Sequence, residues 1–197
     1  ALRGTKVRKL HSSRRDAFKP VNAKPTAKIT KDAFIPLSDY KKRTKEKTNA
    51  DTRFEEKVAL IKFYPGQDPD ILEYYRKKGY KGIIIEGTGL GHVAALTSKH
   101  SWLPTIKRII EKGVFVGITT QCIYGRVDPY VYSNLRALSK TGAVFLEDML
   151  AETAFVKLGY VLAHPEWKNK IKEKMLKKEG VVILEGKIDL SSCLFRF

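Results

Sequence analysis

Two short stretches of this chain hold side chains whose types and spacing could do chemistry. The first, EGTGLGH at residues 86–92, sets three glycines in a run of seven directly after an apolar segment. Such a turn can bring backbone amides against a phosphate, but a dinucleotide fingerprint opens straight into a helix and carries an acidic residue about twenty positions on. Glu111 stands near that distance yet falls inside a predicted helix, so a tight turn approaching some other ligand fits equally well. The second, Thr119-Thr120-Gln121-Cys122, could offer hydroxyl and amide groups to a polar substrate. The Cys122 thiol would need a neighbouring base to act as a nucleophile, and no partner is evident, so a small buried residue is the expectation there. His92 closes the glycine loop, where a single histidine is ordinarily a polar surface group. His11, His100 and His164 show no metal-ligand spacing with one another or with Cys122 and Cys193.

These residues stand between elements that alternate regularly. Residues 58–63 (VALIKF), 82–86 (GIIIE), 114–119 (VFVGIT) and 143–146 (AVFL) read as strands, and the β-branched run at 83–85 predicts a strand covered on both faces. Asp68-Pro69 opens a predicted helix that Gly79 closes, and residues 101–112 form another, ended by Gly113. Asp128-Pro129 repeats the opening for a helix to Lys140, and Asp148 caps one running towards His164. Four strand–helix alternations predict an α/β fold with a parallel sheet flanked by helices. Ligands then meet the loops at the carboxyl ends of the strands, here 64–68, 87–92, 120–125 and 147–148. Residues 168–178 hold six lysines on a predicted amphipathic helix, a solvated face first and a nucleic-acid contact second.

The rest of the chain bounds these readings. Residues 1–22, ALRGTKVRKLHSSRRDAFKPVN, lack an initiator Met and are dense in Lys and Arg, which reads as a chain entered within a longer protein. Residues 40–57 have almost no apolar content and read as an exposed linker, and before them 27–29 and 34–35 can supply only short strands. The 197 residues, 43% of them hydrophobic, suffice for one domain with a core and part of another. No apolar run approaches a membrane span, and two cysteines are too few for a disulfide framework, which places the chain in a reducing, cytoplasmic setting. The formal net charge is +17, and residues 1–57 hold 17 Lys and Arg against 7 Asp and Glu. That surplus suits RNA or DNA contact and equally a basic solvated surface, since no RNP, zinc-finger or helix-turn-helix signature is present.

Four stretches, RGTKVRKLHSSRRDAFKPVN (3–22), FEEKVALIKFYPGQDPDILEYYRKKGYKGIIIEGTGLGHV (54–93), EKGVFVGITTQCIYGRVDPYVYS (111–133) and EDMLAETAFVKLGYVLAH (147–164), resemble the L-asparaginase/glutaminase superfamily, on its archaeal tRNA-dependent amidotransferase branch. The resemblance covers nearly the whole chain. It implies that residues 1–38 are the C-terminal remnant of a larger N-terminal α/β domain, 39–56 a linker, 57–190 the smaller asparaginase C-terminal α/β domain and 191–197 an atypical tail. Family members attack a side-chain amide with one threonine, and a second threonine, an aspartate and a lysine form a further catalytic group. The lysine aligns on Lys9, while the threonines and the aspartate would lie upstream of Ala1, so this chain alone is expected not to hydrolyse an amide. His92 aligns with an asparagine that, in dimeric relatives, reaches the neighbouring protomer's site near the substrate's amino or carboxylate end.

The function implied is release of ammonia from glutamine. A partner, the amidotransferase's E subunit, uses that ammonia with ATP and Mg to convert Glu-tRNA(Gln) to Gln-tRNA(Gln), and the glutamine-hydrolysing component itself binds no cofactor and no metal. A homodimer within a heterotetramer assembled around tRNA(Gln), away from membranes, is the expected setting. A free-standing L-asparaginase fragment is the alternative within the same chemistry. A non-catalytic basic nucleic-acid-binding α/β module, or a nucleotide-binding domain using residues 87–91, is the alternative outside it.

Overall fold

The computed structural model describes residues 1–40, 45 and 50–177. They divide between Asp51 and Thr52 into two compact units. Part of the predicted linker, the boundary at 190 and the tail 191–197 lie outside the described residues, as does Cys193.

The first unit is built from two short antiparallel ribbons. β1 (Val7–Lys9) pairs with β2 (Phe18–Pro20), setting Lys9 opposite Phe18, and β3 (Ala27–Ile29) pairs with β4 (Phe34–Pro36). The short strands expected at 27–29 and 34–35 are therefore present. Ala17, Val21 and Ala27 are buried, while Phe18, Ile29, Phe34 and Ile35 are exposed, as two-stranded ribbons of three residues bury little on their own. At the turn between β1 and β2, Asp16 accepts hydrogen bonds from Lys19 and Arg14, which hold its carboxyl below the usual range.

The second unit carries the alternating elements: β5 (Val58–Lys62), α1 (Asp70–Lys77), β6 (Gly82–Gly87), α2 (Leu103–Glu111), β7 (Phe115–Thr120), α3 (Ser133–Ser139), β8 (Val144–Phe145), α4 (Ala151–Leu162) and α5 (Ile171–Leu176). The four strands form one parallel sheet in the order β5-β6-β7-β8, so the α/β expectation holds. Alternation along β6 feeds two cores. Ile83 and Ile85 pack with Leu72 of α1, Ile106 and Ile109 of α2 and Leu138 of α3, whereas Ile84 packs with Ala154, Leu158 and Val161 of α4. The IIIE run is thus covered on both faces, as its composition predicted. No helix among the described residues is long and apolar enough to cross a membrane.

Several predicted boundaries move, each for a local reason. The Asp68 side chain accepts the Asp70 amide at 2.9 Å, but α1 starts at Asp70 with Pro69 in the capping position, and it ends where Gly79 takes φ +81°. Asp128 makes the same bond to the Tyr130 amide at 2.8 Å, but no helix follows it. Arg136 Nη1 donates to the Tyr130 carbonyl at 2.8 Å, Tyr132 is extended, and α3 begins only at Ser133. Likewise Asp148 does not cap α4, which starts at Ala151 after an extended Leu150. The predicted lysine helix at 168–178 is instead a 3-10 segment, Pro165–Lys170, followed by the short α5. His164, at the turn into that segment, is buried; its Nδ1 donates to the Tyr160 carbonyl at 2.6 Å and its ring stacks on Trp167 at 4.0 Å.

One buried cation ties α4 to α5. Lys157 Nζ donates to the carbonyls of Met175 (2.9 Å) and Lys177 (3.1 Å), two of the acceptors left open at a helix C-terminus. Burial lowers its pKa from 10.5 to about 8. Between those values the unfolded chain keeps a proton that the folded chain has shed, so stability rises with pH in that window and the cost of the buried charge is greatest below it. The melting temperature of the chain is expected to climb from pH 8 to pH 10 relative to that of Lys157→Met. Parallel pH profiles for the two proteins in thermal denaturation would contradict this.

Candidate functional site at the strand carboxyl ends

The site is best built from β6 outward. After Gly87 the chain doubles back sharply. Thr88 and His92 exchange backbone hydrogen bonds (2.9 and 2.8 Å), and the Gly91 amide donates to the Thr88 carbonyl at 2.9 Å. Three amides of the glycine run are thereby closed on the turn itself. This is the tight turn that the sequence allowed. Gly91 is required twice over: its φ is +104°, and a Cβ there would come within 2.9 Å of Ile118 Cγ2 and 3.1 Å of Val127 Cγ1.

Residues at the end of β7 brace that turn. Thr119 Oγ1 donates to the Ile85 carbonyl at 3.4 Å, and Thr120 Oγ1 donates to the Gly89 carbonyl at 2.6 Å. The Gln121 amide donates to the Gly87 carbonyl at 2.9 Å, and its Nε2 donates to the carbonyls of Phe63 (2.5 Å) and Glu86 (2.9 Å), clasping the ends of β5 and β6 together. The hydroxyls and amide expected to face a substrate therefore hold the loops instead. Cys122 also departs from expectation. It is exposed, because the chain leaves the sheet at Thr120 and runs outward.

The outer rim comes from the loop before α3. Asp128 donates its amide to the Leu90 carbonyl at 3.1 Å and Val127 donates to the Glu147 carbonyl at 2.9 Å, so this loop is tied to the glycine turn and to the end of β8. Glu147 itself takes φ +56°, a left-handed conformation that a non-glycine residue holds only where its surroundings enforce it. His92 is half-buried, with its ring centre 5.4 Å from that of the exposed Tyr132. Tyr124, Tyr130 and Val131 add exposed apolar surface to the same loop. Sequence reasoning passed over this rim, although three tyrosines within nine residues of a connecting segment were a legible signal. It also missed Gln67, whose Oε1 is buried without a hydrogen-bond partner while its carbonyl accepts from Trp102 Nε1 at 3.0 Å.

Lys9 belongs to the first unit. It is exposed on β1, with its ammonium 5.9 Å from the Phe18 ring centre, the geometry that the β1–β2 register dictates. Lys9 makes no ion pair among the described residues. Among those residues no three His, Cys, Asp or Glu side chains are grouped so as to hold a metal ion.

Residues 57–175 match the family model of the glutaminase/asparaginase C-terminal domain. The D subunit of glutamyl-tRNA(Gln) amidotransferase from Thermococcus kodakarensis is 49% identical over 178 residues, which is 89% of this chain and 39% of that protein. The same subunit from Pyrococcus abyssi is 50% identical, over 89% of this chain and 40% of its own length, and that from Methanococcus maripaludis is 53% identical, over 83% and 39%. The chain thus spans about two-fifths of the length of these curated relatives. Among solved structures, the thermostable L-asparaginase from Thermococcus kodakarensis superposes with a TM-score of 0.78 at 26% identity, covering 94% of this chain and 53% of that one. L-asparaginase I from Vibrio cholerae O1 biovar eltor shares the fold, with a TM-score of 0.76 at 24% identity, over 89% of this chain and 52% of that one.

Proposed function

Because the chain belongs to the glutaminase/asparaginase C-terminal domain family, we propose that it is the C-terminal part of the glutamine-hydrolysing component of a tRNA-dependent amidotransferase. In this reading the complete protein releases ammonia from glutamine. A partner, the amidotransferase's E subunit, uses the ammonia with ATP and Mg to turn Glu-tRNA(Gln) into Gln-tRNA(Gln), in the cytoplasm. The hydrolytic component needs no cofactor of its own, and a homodimer within a heterotetramer completes the sites. The observation that carries the proposal is the contrast in identity. The amidotransferase relatives are about 50% identical along nearly the whole chain, and the solved Thermococcus L-asparaginase is 26% identical over a similar span.

Two residues carry the chemistry. Lys9 completes a proton-transfer group with a threonine and an aspartate supplied from upstream, and His92 contacts the substrate's amino or carboxylate end across a dimer interface. The braced turn favours a positioning role of that kind for His92, because Thr120, Gln121 and Asp128 each fix a carbonyl in its loop. The test is to fuse the upstream portion of the Thermococcus amidotransferase relative to this chain and to measure ammonia release from glutamine and from asparagine. Preference for glutamine supports the proposal. Preference for asparagine turns the reading to an asparaginase, and no hydrolysis of either overturns it. In the same fusion His92→Ala is expected to raise KM for glutamine about tenfold with kcat little changed, the loss of one hydrogen bond to a charged group. Unchanged kinetics would reduce His92 to a loop residue.

A further inference from the structure

The positive charge of the second unit is unevenly placed. The loops at the strand carboxyl ends, 64–68, 87–92, 120–128 and 147–148, contain Asp68, Asp128, Glu147 and Asp148 against Arg126 alone. Along α1 and the last turn of α2 stand Arg76, Lys77, Lys78, Arg108 and Lys112 against Asp70, Glu73 and Glu111. The two helices line an open groove of about 490 Å3, which Asp70 at the start of α1 also borders. Its floor is a built arrangement. The Glu73 carboxylate, only 12% exposed, accepts from Arg108 Nε and from Arg76 Nε, both at 2.6 Å, and these two guanidiniums lower its pKa to about 2. One largely buried carboxylate therefore fixes two guanidiniums on the floor of one groove. Lys77 and Lys112 flank them and make no ion pair among the described residues. Tyr74 lies 53% exposed on the same helix, with the Lys78 ammonium 5.9 Å from its ring centre.

Single basic residues at a helix C-terminus are explained by the helix dipole. That explanation does not account for a guanidinium pair anchored across two helices, nor for unpaired lysines on both walls beside an exposed aromatic ring. Fixed guanidiniums with flanking ammoniums suit a run of phosphates, and an exposed tyrosine suits an unstacked base. We propose that the groove between α1 and the C-terminal half of α2 is a contact surface for the phosphodiester backbone of RNA. The proposal rests on the amidotransferase reading for the identity of that RNA as tRNA. It separates the RNA-facing helices from the loop that carries His92.

The test titrates the full chain with a tRNA(Gln) transcript, followed by fluorescence anisotropy at several salt concentrations. Lys77→Gln/Lys112→Gln changes only exposed side chains. It is expected to weaken binding about tenfold near 100 mM salt and to lower the slope of log affinity against log salt by about 1 to 2. Lys168→Gln/Lys172→Gln, in the lysine-rich segment, serves as the comparison and is expected to bind as the wild type does. Loss of binding in the second variant but not in the first overturns the proposal, as does a wild-type chain with no measurable affinity. Equal displacement by poly-glutamate would make the groove a site for acidic protein and overturn the assignment to RNA. The glutamine assay uses neither lysine pair nor RNA. A fusion that hydrolyses glutamine while the groove variant binds tRNA normally loses the groove and keeps the function, and the converse result keeps the groove.

Discussion

Lys9→Ala is expected to lower kcat for glutamine about a thousandfold in the protein completed with the upstream part of an amidotransferase relative, leaving KM nearly unchanged. The size follows from the proposed role. A general acid–base group placed beside a nucleophilic hydroxyl contributes about 10²- to 10⁴-fold, and a lysine next to a carboxylate and a threonine can polarise that hydroxyl and move its proton. The fold should not register the change, because Lys9 is exposed and its ammonium approaches the Phe18 ring only to 5.9 Å. Alternation along β1 places Arg8 on the opposite face, so Arg8→Ala serves as the internal comparison. Lys9→Arg should not restore activity, since a guanidinium cannot give up its proton at working pH. Full activity of Lys9→Ala, measured as ammonia release, would remove Lys9 from the mechanism.

The sheet was legible because its strands announce themselves. GIIIE and VFVGIT are runs that only a two-sided burial can use, and both lie where expected. Helix starts were less legible, because one dipeptide serves two purposes. Asp68-Pro69 opens α1, while Asp128-Pro129 makes the same side-chain bond and then continues extended, held by Arg136 six residues on from Tyr130. Nothing local distinguishes the two. Lys157 was a different kind of miss. Residues 154, 157, 158 and 161 form a helical stripe, and three of them are apolar, so the buried position of the lysine could have been read from spacing.

The site was legible as a place but not as a set of partners. Loop topology located the carboxyl ends of the strands. It could not say that the hydroxyls of Thr119 and Thr120 and the amide of Gln121 turn inward, because those bonds depend on how close two loops approach. Lys9 carries no local signal at all. Its candidacy comes from the family resemblance, and a surface lysine on a three-residue strand would otherwise pass unremarked.

The Gly87 turn ties the fold to the proposed role of His92, and Gly87→Ala should expose the link. Gly87 has an ordinary φ, so the restriction there is space alone. A Cβ would stand 2.6 Å from the Gly91 carbonyl carbon and 2.8 Å from the Gly91 and His92 oxygens. Backbone atoms cannot swing aside as a flexible side chain can, so the turn must open. Opening it breaks the paired Thr88–His92 hydrogen bonds and strains the Thr120 and Gln121 braces. The expected loss is about 3 kcal/mol, in the range of overpacked interior positions and close to a hundredfold in the folded-to-unfolded ratio. Because His92 is the far anchor of the same turn, the fusion protein should also show a raised KM for glutamine at temperatures where it remains folded. Urea denaturation and substrate kinetics read these two effects separately. A variant with wild-type stability and wild-type KM would mean that the turn yields without cost and that His92 is not placed by it.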